Sequence, residues 1–232
     1  MKRFLLALVA TGLVASGVAG QGRLELRLAP GPTYSGVKWF GPARITLLPQ
    51  IAIWIEDSSG RFVDTIYVTK KSAKADWWFA KGARRPEALP VWSHARGMQA
   101  ADGSFMPEAD HPLPDTVSGA TPGAAFVVAR ELPPGLALGT YRIRAELNLS
   151  YDWNEAYPDK LPKSDPRWTR WNGQPSIVWE AALLLGATES SAELMPVGSG
   201  SLDGSEGSIR PGLEGLTSSR TIAASIVVAY RP

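Results

Sequence analysis

Residues 45–69, ITLLPQIAIWIEDSSGRFVDTIYVT, carry two apolar runs separated by Asp57-Ser58-Ser59-Gly60. The runs at 45–56 and 61–69 are rich in Ile, Val, Thr and aromatic residues, which fit a pleated surface. The small polar residues between them suit a tight turn, because Asp and Ser bond the local backbone and Gly accepts a positive φ. The pair reads as an antiparallel hairpin. Working outward, Arg23-Leu24-Glu25-Leu26-Arg27-Leu28 alternates charge and Leu, as a strand with one wet face does. Further strands are expected at 124–130, 140–149, 176–185 and 220–230, with Tyr141, Ile143, Ala145, Leu147 and Leu149 sharing one face. Only 72–82 and 86–98 have the character of a short helix, and Pro90 interrupts the second.

Many short strands punctuated by Gly and Pro predict an all-β chain folded as an antiparallel immunoglobulin-like β-sandwich. Pro133-Pro134-Gly135 leading to Gly139-Thr140-Tyr141 before a strand is typical of such modules. Two insertions, 70–122 and 151–175, are too long for simple connections and are rich in Trp. The stretch 197–219, with Gly at 198, 200, 204, 207, 212 and 215, reads as a mobile surface hairpin or loop.

The first residues have the layout of a secretory signal peptide: Met1-Lys2-Arg3 is basic, Phe4 to Val14 is mainly apolar, and Ala15 to Gly20 offers small residues for cleavage after Ala19 or Gly20. The apolar run is short of the roughly 20 residues that span a bilayer. Residues 1–20 are therefore expected to be removed, leaving 21–232 as a single periplasmic or secreted β-sandwich domain with no membrane insertion after cleavage. The chain has 24 Lys and Arg against 22 Asp and Glu. Lys2 and Arg3 lie in the leader, so the mature chain is neutral and electrostatic capture of nucleic acid has no support. The absence of Cys removes disulfides, a thiol nucleophile, iron–sulfur clusters and attached c-type haem.

Asp115-Thr116-Val117-Ser118-Gly119-Ala120-Thr121 spells D-x-x-S-G-A-T. At residue frequencies of several per cent, these five fixed positions seldom coincide by chance in a chain of this length. Gly119 and Ala120 are small, so an enzyme can take the segment extended and reach the Thr121 hydroxyl. A free threonine is a poor nucleophile, and no neighbour in sequence supplies a base, so modification requires a separate enzyme. The bland reading is a polar turn before the 124–130 strand.

The motif resembles the flavin-binding segments of sodium-pumping quinone reductases and related ferredoxin oxidoreductase subunits. That resemblance implies FMN attached covalently to Thr121 through a phosphoester, with Asp115, Ser118, Gly119 and Ala120 as the matching positions. The usual hydroxyl residue one or two places later is replaced by Pro122 and Gly123. A second resemblance covers most of the chain. Ile53-Trp54-Ile55-Glu56-Asp57 with Gly60 to Thr65, Leu89-Pro90-Val91-Trp92, the motif itself and Gly173-Gln174-Pro175-Ser176 are similar to a family of periplasmic proteins of unknown function, domain of unknown function 2271. It implies a sandwich, an FAD:protein FMN transferase and a membrane electron-transfer protein as partners.

Other chemistry is thin. His94 and His111 are the neutral-pH bases, and no G-x-S-x-G elbow accompanies them. Asp102, Glu108, Asp110 and His111 cluster without calcium-loop or His-x-x-x-His spacing. Asp152, Glu155 and Asp159 invite a glycosidase reading, but nearness in sequence does not provide opposed carboxylates. Of the Trp residues, Trp54 and Trp179 are expected in the core, while Trp77-Trp78 and Trp168-Trp171 suit stacking, docking or covering the ends of the sandwich. Lys70, Lys71, Lys74, Lys81, Arg84 and Arg85 read as a solvated face, with a flavin phosphate or acidic partner as the alternative. Two functions remain: a flavinylated periplasmic electron carrier, more a redox module than a complete enzyme, or an immunoglobulin-like envelope binding or assembly protein that uses its Trp-rich loops.

Overall fold

The computed structural model describes residues 22–75, 77, 84–107, 113–114 and 118–232. The leader reading, Trp78, Lys81, Glu108, Asp110, His111 and Asp115 lie outside these residues.

The chain is all-β, a two-sheet sandwich with short helical pieces. β1 (Arg23–Pro30) lies between β12 (Ala223–Arg231) and β7 (Phe126–Glu131), and β10 (Ser190–Glu193) extends this sheet beyond β12. The second sheet runs β11 (Met195–Ser199), β9 (Ile177–Leu185), β8 (Gly139–Asn148), β4 (Gln50–Glu56), β5 (Phe62–Thr69) and β6 (Ser118–Gly119). Its pairs are antiparallel except β5 with β6. The expected alternation in β1 holds: Leu24, Leu26 and Leu28 are buried, while the exposed Arg27 bonds Glu25 on the opposite face. They meet Ile51, Ile53 and Ile55 of β4, Ile143, Ala145 and Leu147 of β8, and Trp179 of β9 in the core between the sheets. Each such Leu or Ile contributes about 1.5–3 kcal/mol by burial.

The expected hairpin is formed by β4 and β5. Asp57 Oδ1 accepts the Ser59 hydroxyl and the amides of Ser59 and Arg61, and Gly60 has φ +84°. The run that begins at Ile45 is not one strand. Leu48-Pro49 breaks it, and β3 (Ala43–Leu47) pairs instead with β2 (Gly36–Phe40) as a separate hairpin, because proline cannot donate to a ladder.

β4 is buried along its whole length. Its Ile residues face the inter-sheet core, while Ala52 and Trp54 face outward into a second core. That core is supplied by the first insertion: α1 (Lys70–Lys74) gives Ala73, α2 (Pro90–Ala95) gives Val91 and Trp92, and Trp77, Ala88 and Leu89 fill between. The first insertion thus makes a third layer on the outer face of the sheet rather than covering the ends of the sandwich. Trp54 and Trp179 are both core residues, as expected, on opposite faces of one sheet. Pro90 does not interrupt a helix; it occupies the first turn of α2, where its missing N–H costs nothing.

Glu146 fixes this layer. On β8 it is fully buried and accepts Val91 N–H at 3.2 Å, Trp92 N–H at 2.8 Å and the Ser176 hydroxyl at 2.6 Å. Burial pushes its carboxyl up to about 7, against the pull of those three donors. Farther along the same outer face, Arg142 and Arg144 of β8 interleave with Glu56 and Glu180 of β4 and β9, with Arg144 within 3.0 Å of Glu56 and 2.8 Å of Glu180.

The stretch 197–219 is not a loose loop. It begins in β11 and packs back over α2, so that a Cβ at Gly204 would lie 2.3 Å from the Pro86 carbonyl carbon and one at Gly207 would lie 2.2 Å from His94 Cβ. Its glycines permit close approach.

Candidate functional site

The edge of the six-stranded sheet holds the S-G-A-T segment. Ser118 and Gly119 form β6, paired in parallel with Val68 and Thr69 at the end of β5. The Tyr67 ring lies against Gly119, where a Cβ would stand only 3.2 Å from Cε2. Ser118 Oγ is buried and finds no hydrogen-bond partner among the described residues.

Two phenols bracket Thr121. Tyr67 donates to the Ala120 carbonyl at 3.0 Å, and Tyr34 donates to the Pro122 carbonyl at 2.9 Å. Burial pushes Tyr34 up to about 12; Tyr67 is raised as well, by burial first and then by Tyr34. Both therefore remain protonated donors at physiological pH. Thr121 itself is half-buried, and its hydroxyl donates to the Pro49 carbonyl at 3.2 Å. A carbonyl holds the hydroxyl but does not deprotonate it. Of the motif, Ser118, Gly119, Ala120 and Thr121 are brought together here; Asp115 lies outside the described residues.

Pro49 stands between two residues that line a cleft of about 330 Å³, Leu48 and Gln50. Aromatic rings supply much of its wall: Phe40 from the β2–β3 hairpin, Trp77 from the first insertion, and Tyr151 and Trp171 from the second. Polar groups from Gln50, Ser150, Lys71 and Arg85 complete it, and no carboxylate lines it among the described residues. Tyr151 sits at φ +60°, a strained conformation for a bulky residue that costs on the order of 1–3 kcal/mol. The Tyr151 N–H to Trp171 carbonyl bond, 2.8 Å, holds it there. Its ring meets Phe40 edge-on at 5.8 Å and Trp171 edge-on at 6.4 Å between centroids.

Arg85 joins the two insertions. Its guanidinium lies 4.2 Å from the Trp77 ring centroid and 5.4 Å from that of Trp171, and it donates to Ser150 Oγ at 2.9 Å. Only 6 % exposed, it corrects the expectation of a solvated basic face, although Lys70 and Lys71 are exposed. Burial lowers its affinity for the proton, and Glu87, at 3.8 Å, partly restores it. Burial likewise raises Glu87, with Arg85 opposing. At 3.8 Å their charges attract without a hydrogen bond. Trp77 Nε1 is buried and bonds to nothing among the described residues.

The other sequence candidates take structural roles. His94 Nδ1 bonds the Pro90 carbonyl at 2.8 Å and its ring stacks on Phe105. Asp102 pairs with Arg84. Asp152 is tied to Ser218, and Gln174 bonds its carbonyl. Sequence reasoning missed Tyr34 and Tyr67, and took Arg85, inside the first Trp-rich insertion, only as one member of a basic run. A scan against protein-family models, a search of curated proteins and a search of solved structures each find no match to the chain.

Proposed function

We propose that this chain is an exported periplasmic flavoprotein-type electron carrier whose Thr121 takes FMN through a phosphoester made by a separate FAD:protein FMN transferase. The observation that carries this reading is the setting of the S-G-A-T segment. It lies on a sheet edge, where an enzyme can engage it as an extended strand, and tyrosines hold the carbonyls on both sides of a half-exposed threonine. Ser118 to Thr121 fit the group: small residues precede a hydroxyl restrained by a single carbonyl.

In the modification, Thr121 Oγ forms a bond to the flavin-side phosphorus of FAD. The diphosphate P–O bond breaks, AMP leaves, and the hydroxyl proton passes to a base of the transferase, since the Pro49 carbonyl cannot take it. Tyr67 and Tyr34 fix the backbone on which the ester stands. Bound there, flavin supplies one- and two-electron chemistry between a membrane electron-transfer protein and a further acceptor.

The test is co-expression of the full chain with a bacterial flavin transferase, followed by the intact mass of the denatured product. A flavin-sized adduct in wild type and its loss in Thr121→Ala are expected. An unmodified wild type beside a labelled control acceptor overturns the reading. The second reading, a non-enzymatic immunoglobulin-like envelope binding or assembly module, draws on the β2–β3 hairpin, where Trp39 is 61 % exposed and Val37 is 48 % exposed. It predicts no adduct and loss of partner capture on Trp39→Ser.

A further inference from the structure

We propose that the aromatic cleft seats an isoalloxazine ring, that of the flavin carried on Thr121; the inference rests on the reading of Thr121 given above. Two features of the cleft select such an occupant. Its walls are rings from three separate segments, Phe40, Trp77, Tyr151 and Trp171, which suit a planar heteroaromatic ligand that stacks and makes edge contacts. Its polar groups are contiguous, Arg85 bonding Ser150 and Ser150 bonding Gln50, and suit a pyrimidine edge, whereas Ile45, Leu47 and Leu48 supply apolar wall for the dimethylbenzene end.

Continuity agrees with this assignment, because the carbonyl that holds the Thr121 hydroxyl belongs to Pro49, whose two chain neighbours are cleft walls. The strained Tyr151 fits a group held in place for a ligand rather than for the fold, since its ring adds to neither hydrophobic core.

Lumiflavin, which has neither ribityl chain nor phosphate, tests the cleft apart from attachment. Its fluorescence is titrated with full-length Thr121→Ala protein, which cannot carry the ester. Saturable quenching is expected, weakened about 3- to 10-fold by Tyr151→Ala and by Phe40→Ala, the worth of one aromatic contact. Trp39→Ala, on the same hairpin but outside the cleft, leaves it unchanged, and far-UV circular dichroism verifies that each variant is folded. Quenching that ignores both cleft substitutions overturns the assignment. An adduct on wild type without lumiflavin binding to Thr121→Ala overturns the cleft and leaves attachment standing. Cleft-dependent lumiflavin binding without an adduct overturns attachment and keeps the cleft as a site for a diffusing flavin.

Discussion

Replacing Glu146 with Gln removes a fully buried carboxyl that ties the outer layer to the sheet, and the pH dependence of stability reports the result. The side chain projects from the middle of β8, where its residue pairs with Ala52 and Val178, into the second core. Burial raises its carboxyl from an ordinary 4.5 to about 7 although three donors favour the charged form. A carboxyl raised in this way binds its proton more tightly folded than unfolded. Its contribution is therefore fully present below about pH 4.5 and is lost as pH climbs through about 7. At about 1.4 kcal/mol for each pH unit, the gap corresponds to about 3 kcal/mol. Glutamine keeps the shape and a carbonyl acceptor for α2 but does not titrate. Urea unfolding of both proteins across this window should show wild type losing about 3 kcal/mol relative to Glu146→Gln as pH rises. A difference that stays flat with pH refutes the reasoning, because the donors from Val91, Trp92 and Ser176 would then fully offset burial. A difference that grows in favour of wild type refutes it more strongly.

Leu26→Ala, at the centre of β1 and 1 % exposed, should cost about 2–5 kcal/mol in chemical denaturation, because the facing β4 and β8 side chains cannot collapse into the gap. Gly204→Ala should cost about 1–3 kcal/mol and lower Tm, since φ is +77° and the new Cβ would meet Pro86 backbone. Tyr67→Phe should cost about 1 kcal/mol by removing the bond to the Ala120 carbonyl. It should also speed amide exchange at Ser118 and Gly119 while leaving exchange in β1 unchanged.

Sequence by itself determined the strands whose burial is local in pattern. Leu24, Leu26 and Leu28 alternate with charge, and the Asp57 to Gly60 turn encodes its own hydrogen bonds, so β1 and the β4–β5 hairpin were legible without partners. It also supplied Ser118 to Thr121 as a candidate acceptor, because that signal is a spacing of residue types. Tertiary structure alone decided which faces are dry. Both faces of β4 are covered because residues from 70 onward fold back as a third layer, a long-range event that no periodicity within residues 50–56 records. The same folding carried Arg85 from an apparently basic run into a Trp77–Trp171 sandwich and brought Tyr34 and Tyr67 onto the carbonyls beside Thr121. These contacts join residues far apart in the chain, and their energy depends on desolvation by neighbours that sequence spacing does not specify.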